Sequence, residues 1–133
     1  PGARIDCSLA RVPSGANVGW YLLCGWDGSV IYDDCWKYTS GPAFVDTGGT
    51  PFNTSPRVGI ALGANSGAIL VHGGCLDWNN PGDTNSEQAT LRYSIDGGVN
   101  WSNLATTNTG RGYHSMQLRS DGKIVLIAGR GWE

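Results

Sequence analysis

Few residues in this chain are of a type that does chemistry, and their spacing assembles no catalytic set. His72 and His114 are the only histidines, and Glu87 and Glu133 the only glutamates. Cys7, Cys24, Cys35 and Cys75 include no C-x-x-C pair, and no histidine stands at zinc-finger spacing, so no structural metal and no cofactor is expected. There is no phosphate-binding loop, nucleophile elbow or H-E-x-x-H. Catalysis is therefore not expected of this chain. Binding chemistry has better material. Trp26, Tyr32 and Trp78 read as loop aromatics, with Asp27, Asp77 and Asn79 beside them. Trp26-Asp27-Gly28 and Leu76-Asp77-Trp78 each follow an apolar run ending in glycine, an aromatic–acid pair suited to stacking on a sugar ring and bonding its hydroxyls. The same tryptophans would equally serve as covers over junctions between packed sheets.

Two cysteines carry a second expectation. Cys24 ends one apolar run and Cys35 opens the next, with the turn Asp27-Gly28-Ser29 between them. Paired across such a hairpin they would lie within disulfide reach; otherwise they are small buried hydrophobes. Two N-glycosylation sequons, Asn53-Thr54-Ser55 and Asn100-Trp101-Ser102, agree with secretion. An extracellular location is the expectation.

The elements that must position these residues are short strands. The 133 residues include 21 Gly, six Trp and one Met, and only 15% are charged, against about 25% in an average domain. That balance disfavours helices and favours tight turns between aromatic-rich strands. A net charge of −2 offers no footprint for nucleic acid. No apolar run approaches the ~18 residues of a membrane span. A chain that begins at Pro1 reads as processed or as part of a longer one.

Self-similarity is the strongest signal. Arginines at 4, 57 and 111, spaced by 53 and 54 residues, each open a strand, a glycine-containing turn, an apolar strand and a glycine stop. The apolar strands end at Cys24, His72 and Ala128. A further strand carries Tyr38 in the first unit and Tyr93 in the second, 55 residues apart. The apolar pattern alternates or runs for a few residues, which fits strands and no helix. The repeats fall at approximately 4–56, 57–110 and 111–133, the last truncated, and Cys75 to Gln88 reads as an exposed loop. Four strands per unit of this length is the arithmetic of a β-propeller blade; a small sandwich or barrel is the alternative.

The units resemble the kelch repeat, best in the second, through Arg57, Gly73-Gly74, Tyr93 and Trp101. Ser94-Ile95-Asp96-Gly97-Gly98-Val99-Asn100-Trp101 is similar to the Asp-box of sialidases and other secreted propellers, with Asn100 where threonine is usual. The resemblance implies an all-β propeller, here about two and a half four-stranded blades over residues 1–133, an incomplete ring on its own. It implies structural roles for Ser94, Asp96, Gly98 and Trp101, and for Arg4, Arg57 and Arg111 as links between adjacent blades. Copper radical oxidases and sialidases carry similar repeats, but their ligand and catalytic sets are not assembled by this chain. The expected function is a non-enzymatic extracellular structural or adhesion module whose partners are other chains, or copies of itself, on exposed blade faces. A carbohydrate-binding propeller completed by oligomerisation is the second reading, and an enzyme fragment the third. No nucleic acid and no membrane insertion is expected.

Overall fold

The structure, a computed structural model, describes residues 1–41, 43–53, 55–76, 88–106, 110–119 and 121–129. Among them are ten strands and no helix. β1 (Ser8–Val12), β2 (Gly19–Trp26), β3 (Ile31–Tyr38) and β4 (Phe44–Asp46) form one antiparallel sheet in chain order. β5 (Ala61–Ala64), β6 (Ile69–His72), β7 (Thr90–Ser94) and β8 (Ser102–Thr106) form the second. β9 (Ser115–Leu118) and β10 (Ile124–Ile127) pair as a hairpin. The fold is all-β, built of partial blades, with no closed barrel among the described residues.

Period-2 alternation assigns the faces. In β2, Tyr21 and Leu23 are buried while Trp20 stays 44% exposed. β6 is buried on both faces because it lies between the other two sheets, so Ile69–His72 reads as a continuous apolar run. One core joins Val12, Tyr21, Leu23, Cys24, Cys35 and Phe52 of the first unit to Ile60, Ile69 and Val71 of the second. The other joins Ala61, Leu70 and Leu91 of the second to Met116, Leu118, Ile124 and Leu126 of the third. The first strands of successive sheets are neighbours, β1 beside β5 and β5 beside β9.

All three units share one backbone device. The guanidinium of each repeat arginine donates to a carbonyl at the end of its own second strand: Arg4 to Cys24 at 3.0 Å, Arg57 to Gly73 at 3.1 Å, Arg111 to Ala128 at 3.2 Å. Each accepting residue begins a pair with left-handed φ: Cys24-Gly25, Gly73-Gly74 and Ala128-Gly129. The residue two after each arginine is also left-handed: Asp6, Gly59 and Tyr113. A Cβ on the glycine that ends each pair would approach the carbonyl of the residue after the arginine, at 2.9 Å from Ile5, 3.0 Å from Val58 and 3.1 Å from Gly112. Only glycine fits there. These hydrogen bonds lie within each unit, where bonds between adjacent blades were expected; Arg57 still reaches the preceding unit, through the Phe52 ring and the charge of Asp33. Backbone bonds join the second unit to the third: Gly74 N–H donates to Arg111 C=O and Tyr113 N–H to Gly59 C=O, both at 2.7 Å, and Arg111 N–H to Gln88 C=O at 3.1 Å.

The expected Cys24–Cys35 disulfide is also corrected. A β-bulge between Leu23 and Gly25 shifts the register, so Leu23, not Cys24, stands opposite Cys35. All four cysteines are free thiols. Burial pushes the Cys24 thiol well up and that of Cys35 to about 12, so both behave as inert core groups.

Glycines at these close approaches should be separable from ordinary turn glycines. At Gly98 (φ 87°) a Cβ would meet Cys35 Sγ at 2.5 Å, whereas Gly28 (φ 103°) has nothing within 4 Å. Urea unfolding of Gly28→Ala should show a loss of about 1 kcal/mol from backbone strain alone, and Gly98→Ala at least ~2 kcal/mol more from the clash. Equal losses would contradict this packing.

Candidate functional site

Three clusters contain the residues singled out by sequence. The first is the hairpin from Ser94 to Trp101. Ser94 Oγ donates to Asp96 Oδ1 at 2.8 Å and accepts from Gly98 N–H at 2.9 Å. Asp96 Oδ1 also accepts Asn100 N–H at 2.9 Å, and Oδ2 the Asn100 side-chain amide at 2.7 Å. Burial works against the Asp96 carboxylate, but these bonds outweigh it and hold its pKa below the usual range. Trp101 closes the motif by donating from Nε1 to Gly98 C=O at 3.0 Å. Thr47 Oγ1 donates to that same carbonyl at 3.0 Å and Asn17 Nδ2 to Ile95 C=O at 2.7 Å, so the hairpin locks the second sheet onto the first. Every strong acceptor of Asp96 is engaged locally, as suits a structural box and not a general acid.

The second cluster surrounds Trp26 and Asp27. An open pocket of about 320 Å³ is lined by Ala3, Arg4, Ile5, Trp26, Asp27 and Gly28. Trp26 is held by a two-bond bridge to Ile5, and Arg4 is fixed by Asp34 at 2.7 Å and by the Tyr32 ring at 4.2 Å from its centroid. Asp27 is occupied with its own turn. Tyr32 Oη donates to its Oδ2 at 2.5 Å, and Ser29 and Val30 N–H groups donate to Oδ1. The Tyr32 bond, then the two backbone bonds, lower its pKa to about 2. The position of Trp26 in the first bridge is filled in the second unit by Cys75, which bridges Val58. Asp77 and Trp78 themselves lie outside the described residues, as does most of the 75–88 loop.

The third cluster was invisible as a pair. His72 at the end of β6 and His114 just before β9 meet across the second and third units, Nδ1 to Nε2 at 2.7 Å, with rings edge to face. Both are buried, His72 completely. His72 also bonds the Ala89 backbone, whereas His114 Nδ1 is buried with no hydrogen-bond partner. Burial, then neighbouring positive charge including Arg111, depresses both imidazoles to about 4. They are neutral packing elements at neutral pH. Among the described residues no three His, Cys, Asp or Glu are grouped to hold a metal ion, and no helix is long and apolar enough to cross a membrane.

Sequence reasoning missed Asp33 and Asp34. As neighbours on a strand they point to opposite faces. Asp34 pairs with Arg4 of its own unit, while Asp33 accepts Phe52 N–H at 2.8 Å and supports the charge of Arg57 in the next. Arg57 is buried, packs 4.0 Å from the centroid of Phe52, and burial pulls its pKa down to about 10 despite Asp33. The adjacent acids in β3 were the available signal. No family model and no curated protein matches the chain.

The histidine pair generates a pH dependence with a definite sign. The folded pKa values near 4 lie below the unfolded value of 6.5, so the unfolded chain binds more protons between them. The stability contribution is complete above pH 6.5 and is lost as pH falls toward 4, by roughly 1–3 kcal/mol per unit while both imidazoles titrate. Urea midpoints of wild type and of the His72→Gln/His114→Gln double variant should therefore diverge less at pH 5 than at pH 7.5. A constant difference would contradict neutral, buried imidazoles.

Proposed function

We propose that the chain is a non-enzymatic structural or adhesion module of kelch/Asp-box propeller type, acting outside the cell by packing its free sheet faces against further sheets. The observation that carries this reading is the equivalence of the faces. Four and two residues before the arginine-bound carbonyl stand Trp20 and Leu22 in β2, Ile69 and Val71 in β6, and Ile124 and Leu126 in β10. In the second and third sheets these side chains receive the preceding sheet. In the first sheet the corresponding face is uncovered: Leu9 is 54% exposed, and Trp20, Leu22 and Trp36 share the face with it. At the other end Ile127, on the face opposite to Leu126, is 53% exposed. One uncovered face of each kind favours addition of a like sheet, from a second copy or another chain. Apolar patches of this sort mark interaction surfaces.

A carbohydrate-binding role is the second reading, favoured by the open pocket beside Trp26. It is the weaker one because Asp27, its acid, is already bonded by Tyr32 and two backbone amides.

Sedimentation at micromolar concentration separates the first reading from a self-sufficient monomer. The 133-residue chain should travel as a multiple of its 14.1 kDa mass. The Leu9→Glu/Trp20→Glu variant should travel as single chains with unchanged far-UV circular dichroism. A wild-type chain that is monomeric, folded and soluble would overturn the assembly reading.

A further inference from the structure

A cleft of about 300 Å³ lies between the segment that leaves the first sheet and the hairpin of the second. Gly48, Thr50, Asn53, Arg92, Asn100 and Trp101 line it with Val99. Arg92 is the only charged residue among them, and no acid lines the cleft. The acids just behind are engaged: Asp46 accepts Gly48 N–H, and Asp96 holds the Asn100 amide.

Arg92 is fixed and under-bonded. Its Nη1 donates to Pro51 C=O and its Nη2 to Trp101 C=O at 3.0 Å, which ties the first unit to the second through one guanidinium. Its Nε is buried with no hydrogen-bond partner, and among the described residues no carboxylate lies within salt-bridge distance of it. Arg4 and Arg57 differ, since each has an aspartate beside it or supporting it. A guanidinium oriented by two carbonyls but lacking a counter-charge is preorganised for an anion. Around it, exposed Thr50, Asn53 and Asn100 supply hydroxyl and amide groups, and the turn that presents Asn53 is closed by its own N–H on Thr50 C=O at 3.3 Å.

We propose that this inter-sheet cleft binds a small hydroxylated anion, an acidic monosaccharide unit whose carboxylate or sulfate faces Arg92 and whose hydroxyls meet Thr50, Asn53 and Asn100. The guanidinium sets the charge, and the neutral polar groups select a polyol over an apolar acid. The site is separate from the Trp26 pocket and stands whether or not the chain assembles.

The test uses the whole chain and heteronuclear NMR titrations with galacturonate, a monosulfated galactose, neutral galactose and inorganic sulfate. Galacturonate or the sulfated sugar should shift the amides of Gly48, Asn53 and Asn100 saturably, and neutral galactose should not. Saturation by inorganic sulfate as tight as by either acidic sugar would mean simple anion capture and would overturn the polyol half of the proposal. Arg92→Gln should abolish binding, but it also releases two carbonyls. Asn53→Asp, at an exposed position whose left-handed φ aspartate tolerates, places a repelling charge in the cleft and leaves those ties intact. It should weaken binding about tenfold with an unchanged urea midpoint. Equal affinity of Asn53→Asp and wild type, equal response to neutral galactose, or no saturable shift with any acidic probe would overturn the proposal.

Discussion

An arginine held to a backbone carbonyl is the constraint on which the rest of this structure depends. At the end of each second strand the chain must turn through two successive left-handed residues, a conformation that leaves a carbonyl without a ladder partner. Arg4, Arg57 and Arg111 supply that partner. Because the strand then returns beside the arginine-led segment, the glycine of the pair sits on the neighbouring carbonyl and admits no side chain. Arginine, left-handed pair and glycine are one device, used three times.

The device sets how the sheets can meet. It brings the first strands side by side and leaves each sheet one face for its predecessor and one for its successor. Polar contacts then fix the join between the first and second units. Ser8 Oγ donates to Ile60 C=O at 2.7 Å, Thr47 clips the Ser94–Trp101 hairpin, and Arg92 reaches the carbonyls of Pro51 and Trp101. Between the second and third units, the histidine pair and three backbone bonds do the same work. The chain's uncovered apolar faces follow from this geometry, since the first sheet has no predecessor and the third no successor among the described residues.

Much of this was legible in the sequence, for physical reasons that particular residues show. The ten strands follow the alternation of apolar side chains, and the turn of the Ser94–Trp101 hairpin follows from Ser94, Asp96 and Asn100 bonding one another within seven residues. What depended on a single extra residue was not legible. The bulge at Cys24 moved Leu23 opposite Cys35. Long-range polar partners were also hidden. Nothing local announces that His72 meets His114, that Asp33 supports the charge of the next unit's arginine, or that Arg92 turns toward a proline carbonyl 41 residues away.

The most direct test of the arginine device is the unfolding free energy of Arg57→Met, read against Arg57→Lys. The side chain is buried, and its removal orphans the Gly73 carbonyl and leaves Asp33 without its supporting charge. Both variants should lose about 3 kcal/mol or more in urea unfolding, because lysine reproduces neither the planar contact with Phe52 nor the geometry of the bond. A loss below about 0.5 kcal/mol for Arg57→Met would place Arg57 with ordinary surface positions and contradict the account.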